Sequence, residues 1–481
     1  MTRKIFMGFT TVLLVLCLCL VFIHNGNQNK GTSTEEKINA IIEKYHVQGA
    51  SYAIIKDGQV ASIHNFGYAD VEQKNMVVDN TSFKIASISK TVTAYAIMQL
   101  VDQNILDLDA PVQDYIKNWT FPESEYDNFK VTLRTLLSHT SGISDSPETG
   151  YTEPFPTVEE ALTQRNISVI RDPGSQFEYS SFSGFAICQL VIENVTGQKF
   201  EDYMQQYVFA PLNMNQAGYY NQSQDNYCLA TPYAGLEKAV PVTPIVMTGA
   251  GGISATSTDM ANFVIAMINY FHSGNQEMFR AQKHTESAFG VYGLGIIPHQ
   301  LADGTIVYEH NGTLTGWNAQ IAFEPESQNG IVFLCNSDKG YYLTNEVMRI
   351  WSTDLTGYPV EDKAFQDKME AIINAVWVVV TLTSSLLLTF FVDDTGHKNR
   401  KLLRGRKKCT RLIISLIISS VMLLGWYGIM YSDIIFEFFY NTANYYPFTF
   451  FTRNIDWVGF SLIFMSMVLI MRRLYPKSLS D

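Results

Sequence analysis

Apolar side chains change their spacing several times along the first third of the chain, and each change marks an element. Ile38, Ile41, Ile42 and Tyr45 recur at intervals of three and four behind Ser33 and Glu36, a capping-box pair, so a short amphipathic helix is predicted there. Residues 50–55 and 60–66 flank Asp57-Gly58 and predict a β-hairpin. Around Ser87 the pattern shifts again. Phe83, Ile85 and Ala86 precede it, and Val92, Ala96 and Leu100 follow at helical spacing with Ile97 and Val101 beside them. That is a helix apolar on most sides, hence a buried one. From there to about Phe271 the chain reads as helices and loops. Strands return at residues 305–309, 315–323 and 331–335, the last two joined around Asn329-Gly330, and residues 343–355 read as a closing helix. Early and late strands around a helical block predict an α+β fold: an antiparallel sheet flanked by helices, with an inserted helical lobe. A ligand site is expected in a cleft between the two.

Longer apolar runs lie outside this scheme. Residues 5–23 are uncharged and follow Arg3-Lys4, the order of a signal peptide or a retained N-terminal anchor. No small-x-small cleavage pattern follows, so both readings stand, with lipidation at Cys17 or Cys19 as a third. Residues 371–391 and 412–431 each approach the roughly 20 apolar residues that cross a bilayer, and residues 455–471 form a shorter third candidate containing Asp456. The connector after the first of these carries Lys398, Arg400, Lys401, Arg404, Arg406, Lys407, Lys408 and Arg411, which places it in the cytoplasm. Residues 432–454 set Asp433 and Glu437 against Arg453 and belong outside; Arg472, Arg473 and Lys477 return the C-terminus to the cytoplasm. The expected organisation is a signal or anchor with its tether (residues 1–33), an extracytoplasmic domain (34–370, ending in a second tether over 356–370) and a multi-pass membrane domain (371–481).

Composition agrees with this partition. A mean hydropathy of +0.01 over 481 residues is high for a soluble protein. The net charge of -12 becomes more negative in the outward domain once the basic flanks of the spans are set aside, which excludes nucleic acid as a partner. The basic connector reads as a topology determinant beside anionic lipid. Of six cysteines, Cys188, Cys228 and Cys335 fall in the outward domain, so one disulfide is the maximum, and Cys188 and Cys335 sit in apolar stretches typical of buried thiols. The histidines follow no metal-ligand spacing, no metal or other cofactor is expected, and His139 reads as the brace of a turn. Gly249-Ala250-Gly251-Gly252 lacks the Lys-Ser or Lys-Thr of a phosphate loop and predicts a turn beside the site. The partners expected are a small-molecule or peptide substrate and the bilayer.

Ser87-Ile88-Ser89-Lys90 carries the candidate chemistry. A serine hydroxyl needs a base within hydrogen-bond reach to lose its proton as it attacks. A lysine at i+3 lies on the same helix face, and apolar surroundings lower its pKa enough for it to serve. The bare spacing occurs by chance roughly once or twice in a chain of this size. Two further pieces follow it in order, Tyr179-Ser180-Ser181 and His310-Asn311-Gly312-Thr313, and the trio is much harder to produce by accident.

With these pieces the chain resembles the class C β-lactamases and their relatives among penicillin-binding proteins, D-stereospecific peptidases and serine esterases. The likeness extends through Leu136-Leu137-Ser138-His139-Thr140-Ser141-Gly142, Pro173-Gly174-Ser175-Gln176-Phe177-Glu178-Tyr179-Ser180, Pro211-Leu212-Asn213-Met214 and Tyr292-Gly293-Leu294-Gly295, over roughly residues 34–355. It implies that Ser87 is the acylated nucleophile, Lys90 its proton partner and Tyr179 a shared acid and base. The backbone N–H groups of Ser87 and Thr313 would form the oxyanion hole, and Ser181, His310 and Gly312 would face the substrate, Gly312 leaving room for it on a strand that opens at His310. Two departures bear on substrate. Ser181 stands where class C enzymes have asparagine, and His310, mostly neutral above about pH 6.5, replaces a lysine that would face a substrate carboxylate. The resemblance therefore implies a peptidase, amidase or esterase acting through an acyl-enzyme. The layout is also similar to membrane peptidases that remove an acyl-D-asparagine cap during natural-product export. A sensor or scaffold that is acylated without turnover is the rival reading.

Overall fold

Strand β1 (Gly49–Lys56) explains why the strands are split between the two ends of the sequence. It lies antiparallel between its hairpin partner β2 (Gln59–Asp70) and β9 (Asn329–Cys335), with Ala50 opposite Cys335 and Ile54 opposite Ile331. The seven-stranded antiparallel sheet runs β3-β2-β1-β9-β8-β7-β6, where β3 is Asn75–Met76, β6 Ile297–Gln300, β7 Ile306–Leu314 and β8 Trp317–Glu324. This computed structural model describes residues 33–146, 151, 153–220, 228–234, 237–287, 290–360, 364–397, 400, 406–431 and 455–476.

Both faces of the sheet are covered, so β1 is buried along nearly its whole length. Tyr52 and Ile54 pack with Ile38, Ile41 and Ile42 of helix α1 (Thr34–Tyr45) and with Leu343, Val347 and Trp351 of α6 (Gly340–Thr356). Ala53 and Ile55 point into the larger core on the opposite face, which holds Phe263 and Val264 of α5 (Ser257–Ser273) and the helices of the inserted lobe. The Ser33–Glu36 capping box forms as expected. At the centre lies α2 (Ile88–Asp102), whose residues from Ile88 to Met98 are buried without a break. Cys188 and Cys335 are buried free thiols.

Several boundaries differ from those expected. The segment predicted over 305–309 continues as β7 to Leu314, so His310 to Thr313 lie within the strand instead of opening one, and Thr315 belongs to the turn before β8. The turn into β9 is made by residues 325–328, with Gln328 at φ 55°; Asn329-Gly330 already pairs with β8. Gly330 is required by packing: a Cβ there would come within 2.8 Å of the Val264 side chain. Two short strands had no sequence signal, β4 (Thr81–Lys84) and its partner β5 (Ser254–Ala255), because so few residues show no period.

Helices α7 (Ala364–Gly396), α8 (Arg406–Tyr431) and α9 (Ile455–Leu474) form a second unit, separate from the one that spans Ser33–Asp362. Each contains a stretch long and apolar enough to cross a membrane: Ala371–Gly396, Cys409–Trp426 and Trp457–Leu474. The expected tether over 356–370 is shorter than predicted, since α7 already begins at Ala364. Within this unit Thr381 and Ser461 share a hydrogen bond of 2.8 Å. Arg400 pairs with Asp394 at 2.9 Å and donates to the Tyr475 carbonyl at 2.7 Å, tying the ends of α7 and α9 together. The apolar run at residues 5–23, the outward connector at 432–454 and much of the basic connector lie outside the described residues.

Candidate active site

Strand β4 delivers the chain to Ser87 through a sharp turn. Ile85 donates its amide to the Ile253 carbonyl at 3.0 Å, and Ala86 then adopts φ 50°, a left-handed conformation that costs a non-glycine residue roughly 1–2 kcal/mol. The turn is closed by Ser89 N–H donating to the Ala86 carbonyl at 2.9 Å, and α2 starts at once. Thr81 to Ala86 and Ile88 to Met98 are buried, whereas Ser87 is partly open to solvent.

One helical turn on, Lys90 is fully buried. Its Nζ lies 3.2 Å from Ser87 Oγ, 2.7 Å from the Ser181 carbonyl oxygen and 2.9 Å from the Ala250 carbonyl oxygen. Carbonyls only accept, so two of the amine's hydrogens are committed to Ser181 and Ala250. When Lys90 is neutral, its lone pair is left facing the Ser87 hydroxyl. Burial pushes the Lys90 pKa down to about 7, with the Asp145 carboxylate pulling the other way.

The two carbonyls come from the inserted lobe. Ser181 precedes α3 (Ser183–Thr196), and the turn from Tyr179 to Ser183 is held at two points. His139 accepts the Ser180 amide on Nδ1 at 3.0 Å, the brace expected of it. The Asp145 carboxylate accepts from Ser180 Oγ and from the amides of Ser181, Phe182 and Ser183. The Tyr179 ring stacks obliquely on His139, with centroids 4.3 Å apart, and its centroid lies 5.2 Å from Lys90 Nζ. At 38% exposure Tyr179 is the most open aromatic around the lysine. Ala250 belongs to α4 (Thr248–Gly251), a single helical turn where a plain turn was expected. Its carbonyls and the next accept from buried side chains of α2 and β4: Gly249 from Thr93 Oγ1 at 2.8 Å and Gly252 from Lys84 Nζ at 3.0 Å. Gly249 sits close to α3: a Cβ there would lie 3.1 Å from the Phe185 carbonyl oxygen, a tight contact. Lys84 is a second buried amine, and burial pushes its pKa down to about 7 as well.

Strand β7 borders the site, and two of its residues differ from expectation. His310 is buried and both ring nitrogens are engaged. Nδ1 lies 2.6 Å from the Asn311 carbonyl, which can only accept, so Nδ1 carries the proton and Nε2 accepts from the Tyr292 hydroxyl at 2.7 Å. No ring nitrogen is left for a substrate. Burial also holds the imidazole neutral much further down than the ordinary histidine range, with a pKa of about 4. Gly312 was expected to clear space for a substrate, but the first atom its Cβ would meet is the Ile85 carbonyl oxygen, at 2.1 Å. Its glycine character therefore lets β7 lie directly against the backbone leading into Ser87. Thr313 follows, half-buried, its Oγ1 donating to Asn318 Oδ1 at 3.0 Å. Ser181 reaches Lys90 through its carbonyl, not its side chain.

The structure thus gathers Ser87, Lys90, Tyr179 and Ser181 around one buried amine and sets β7 beside them. A family model for beta-lactamase matches residues 34–350. The chain belongs to the beta-lactamase family. It is 28% identical over 320 residues to PbpX of Bacillus subtilis (strain 168), a protein that takes its name from penicillin binding, covering 64% of this chain and 75% of that one. Protein flp of Staphylococcus aureus (strain MW2) is 27% identical, with 64% of each chain covered, so this chain spans just under two thirds of that relative. Among solved structures it is similar to the octameric penicillin-binding protein homologue from Pyrococcus abyssi, with a TM-score of 0.59, 26% identity, and 71% of this chain and 80% of that chain covered. The beta-lactamase fold, an antiparallel sheet with helices on both faces, is the architecture expected from the sequence.

Asp145 has no signal in the sequence, and the segments that hold Tyr292 and Ala250 show no sign of the bonds these residues make to His310 and Lys90. A carboxylate that caps a helix from a distant loop carries no local signature, and a backbone carbonyl has no residue identity at all. Gly312→Ala should destabilise the Ser33–Asp362 unit by about 1–3 kcal/mol through overpacking against Ile85. Thermal unfolding of the purified protein checks this, and an unchanged melting temperature would show that β7 does not depend on the close approach.

Proposed function

We propose that this beta-lactamase family member is a membrane-anchored serine hydrolase that cleaves amide or ester bonds through an acyl-enzyme at Ser87. The observation that carries the reading is a fully buried Lys90 amine, its pKa lowered by that burial, lying 3.2 Å from a serine hydroxyl that solvent can reach. Ser87 Oγ attacks the substrate carbonyl as Lys90 takes its proton. The backbone N–H groups of Ser87 and Thr313 receive the developing oxyanion, where each donor is worth about 10²–10³ in rate. Tyr179 is exposed and beside Lys90, so it relays the proton to the leaving group. Water activated by the same pair then releases the acyl group.

Electrostatics supports a substrate class. The third motif contributes a neutral imidazole with both nitrogens occupied, so His310 offers no cation to a free carboxylate. Peptides, amides or esters without a carboxylate at that place suit the site. The basic connector between the first two spans and the basic C-terminus support an outward-facing hydrolase unit through the positive-inside rule. A second reading, a penicillin-recognising domain acylated once without turnover, is favoured by the names of its relatives. Burst kinetics separates them: release that stops near one equivalent per protein marks the sensor, and continued release the hydrolase.

Ser87→Ala should abolish both labelling by a fluorophosphonate probe and turnover of a panel of N-acyl-D-amino amides, stem peptides, short esters and a chromogenic cephalosporin; full activity in that variant would remove Ser87 as nucleophile. Lys90→Ala should lower kcat/KM by about 10²–10⁴. The pH–rate profile should rise as Lys90 loses its proton, with a limb near pH 7, because the ammonium form has no lone pair. A profile flat from pH 5 to 8 would count against Lys90 as the base.

A further inference from the structure

We infer that Asp145 is a positioning residue of this site, holding the Ser181 carbonyl so that the neutral Lys90 amine presents its lone pair to Ser87. The inference rests on the serine-hydrolase reading above.

The geometry is a matter of one peptide plane. The Ser181 carbonyl and the Phe182 N–H belong to the same trans peptide and therefore point in opposite directions. Asp145 Oδ1 accepts that N–H at 3.2 Å, and the carbonyl on the far side of the plane meets Lys90 Nζ at 2.7 Å. The same carboxylate secures the residues on either side. Oδ1 also accepts from Ser180 Oγ at 3.1 Å and Ser183 N–H at 3.0 Å, while Oδ2 takes the Ser181 N–H at 2.5 Å. A helix cap alone needs one or two of these bonds. Here one bond holds the plane itself and three hold the residues that flank it, which restrains its rotation.

With Ser181 and Ala250 each taking a hydrogen, the remaining direction on a neutral Lys90 nitrogen is toward Ser87 Oγ. If the Ser181 plane turned, that hydrogen would be free to swing to Ser87, and the lysine would donate where it must accept. Asp145 also acts at a distance: its charge favours the ammonium form. The other titratable groups around the amine are Tyr179, whose ring lies beside it, and His139 and His310, which both feel its positive charge.

The test compares pH–rate profiles of the full-length protein in detergent for wild type, Asp145→Asn, Asp145→Glu and Asp145→Ser, each with its melting temperature. Serine keeps a cap without the charge and serves if the asparagine variant does not fold. The expected result for Asp145→Asn and Asp145→Ser is a fall of about tenfold or more in kcat on the alkaline plateau, where Lys90 is already neutral. The acidic limb should move to lower pH, because the charge favouring the ammonium form is gone. Asp145→Glu should restore the position of the limb. A plateau within twofold of wild type with an unmoved limb overturns the inference. So does a fall that tracks the melting temperature while the limb stays in place, since that is a helix cap and nothing more. Ser87→Ala run alongside keeps the two readings apart: turnover in that variant sinks the hydrolase itself, whereas a dead Ser87→Ala beside an unaltered Asp145→Asn sinks only the positioning role.

Discussion

An amine taken out of water gives up its hydration, yet its hydrogens still need acceptors. In this protein those two conditions meet at Lys90. Its burial comes from α2 running through the centre of the Ser33–Asp362 unit, and its acceptors are two backbone carbonyls supplied from outside that helix. Neutral carbonyls satisfy the donors without adding the negative charge that would hold the proton in place. Most of the local architecture follows from bringing the Ser181 and Ala250 carbonyls within about 3 Å of one nitrogen.

The surrounding sequence is shaped by close backbone approach. Gly249 lets α4 press against α3, and Gly312 lets β7 lie against the Ile85 carbonyl. Ala86 accepts a left-handed backbone so that β4 can turn straight into α2 with Ser87 at the corner. Each leaves the surroundings of Ser87 bounded by main chain on several sides, with Tyr179 and Ser181 exposed beside it. Asp145 belongs to the same scheme, since it grips the turn after Tyr179 by its amides.

His310 shows how tertiary context changes the chemistry of a motif. A histidine at a strand beside the site suggests a group that charges under mildly acidic conditions. Burial, the Asn311 carbonyl and the Tyr292 hydroxyl instead hold it as one neutral tautomer. His310 therefore adds no charge at this strand, and the proposed substrate class follows from its neutrality.

Much of the arrangement was legible in the residue order. Ser87 and Lys90 were found because i and i+3 on a helix are neighbours whatever surrounds them. The capping box at Ser33, the β1–β2 hairpin and the three apolar helices at the C-terminal end were legible for a similar reason, since each is governed by residues close in sequence. What only the folded chain decided involves partners far apart: β1 beside β9, Asp145 beneath the Ser181 turn, Tyr292 on His310, and Gly312 against Ile85. Local periodicity and caps are properties of a segment. A hydrogen bond to a distant carbonyl, or a contact that excludes a Cβ, exists only once the chain has closed on itself, and no segment carries a record of it.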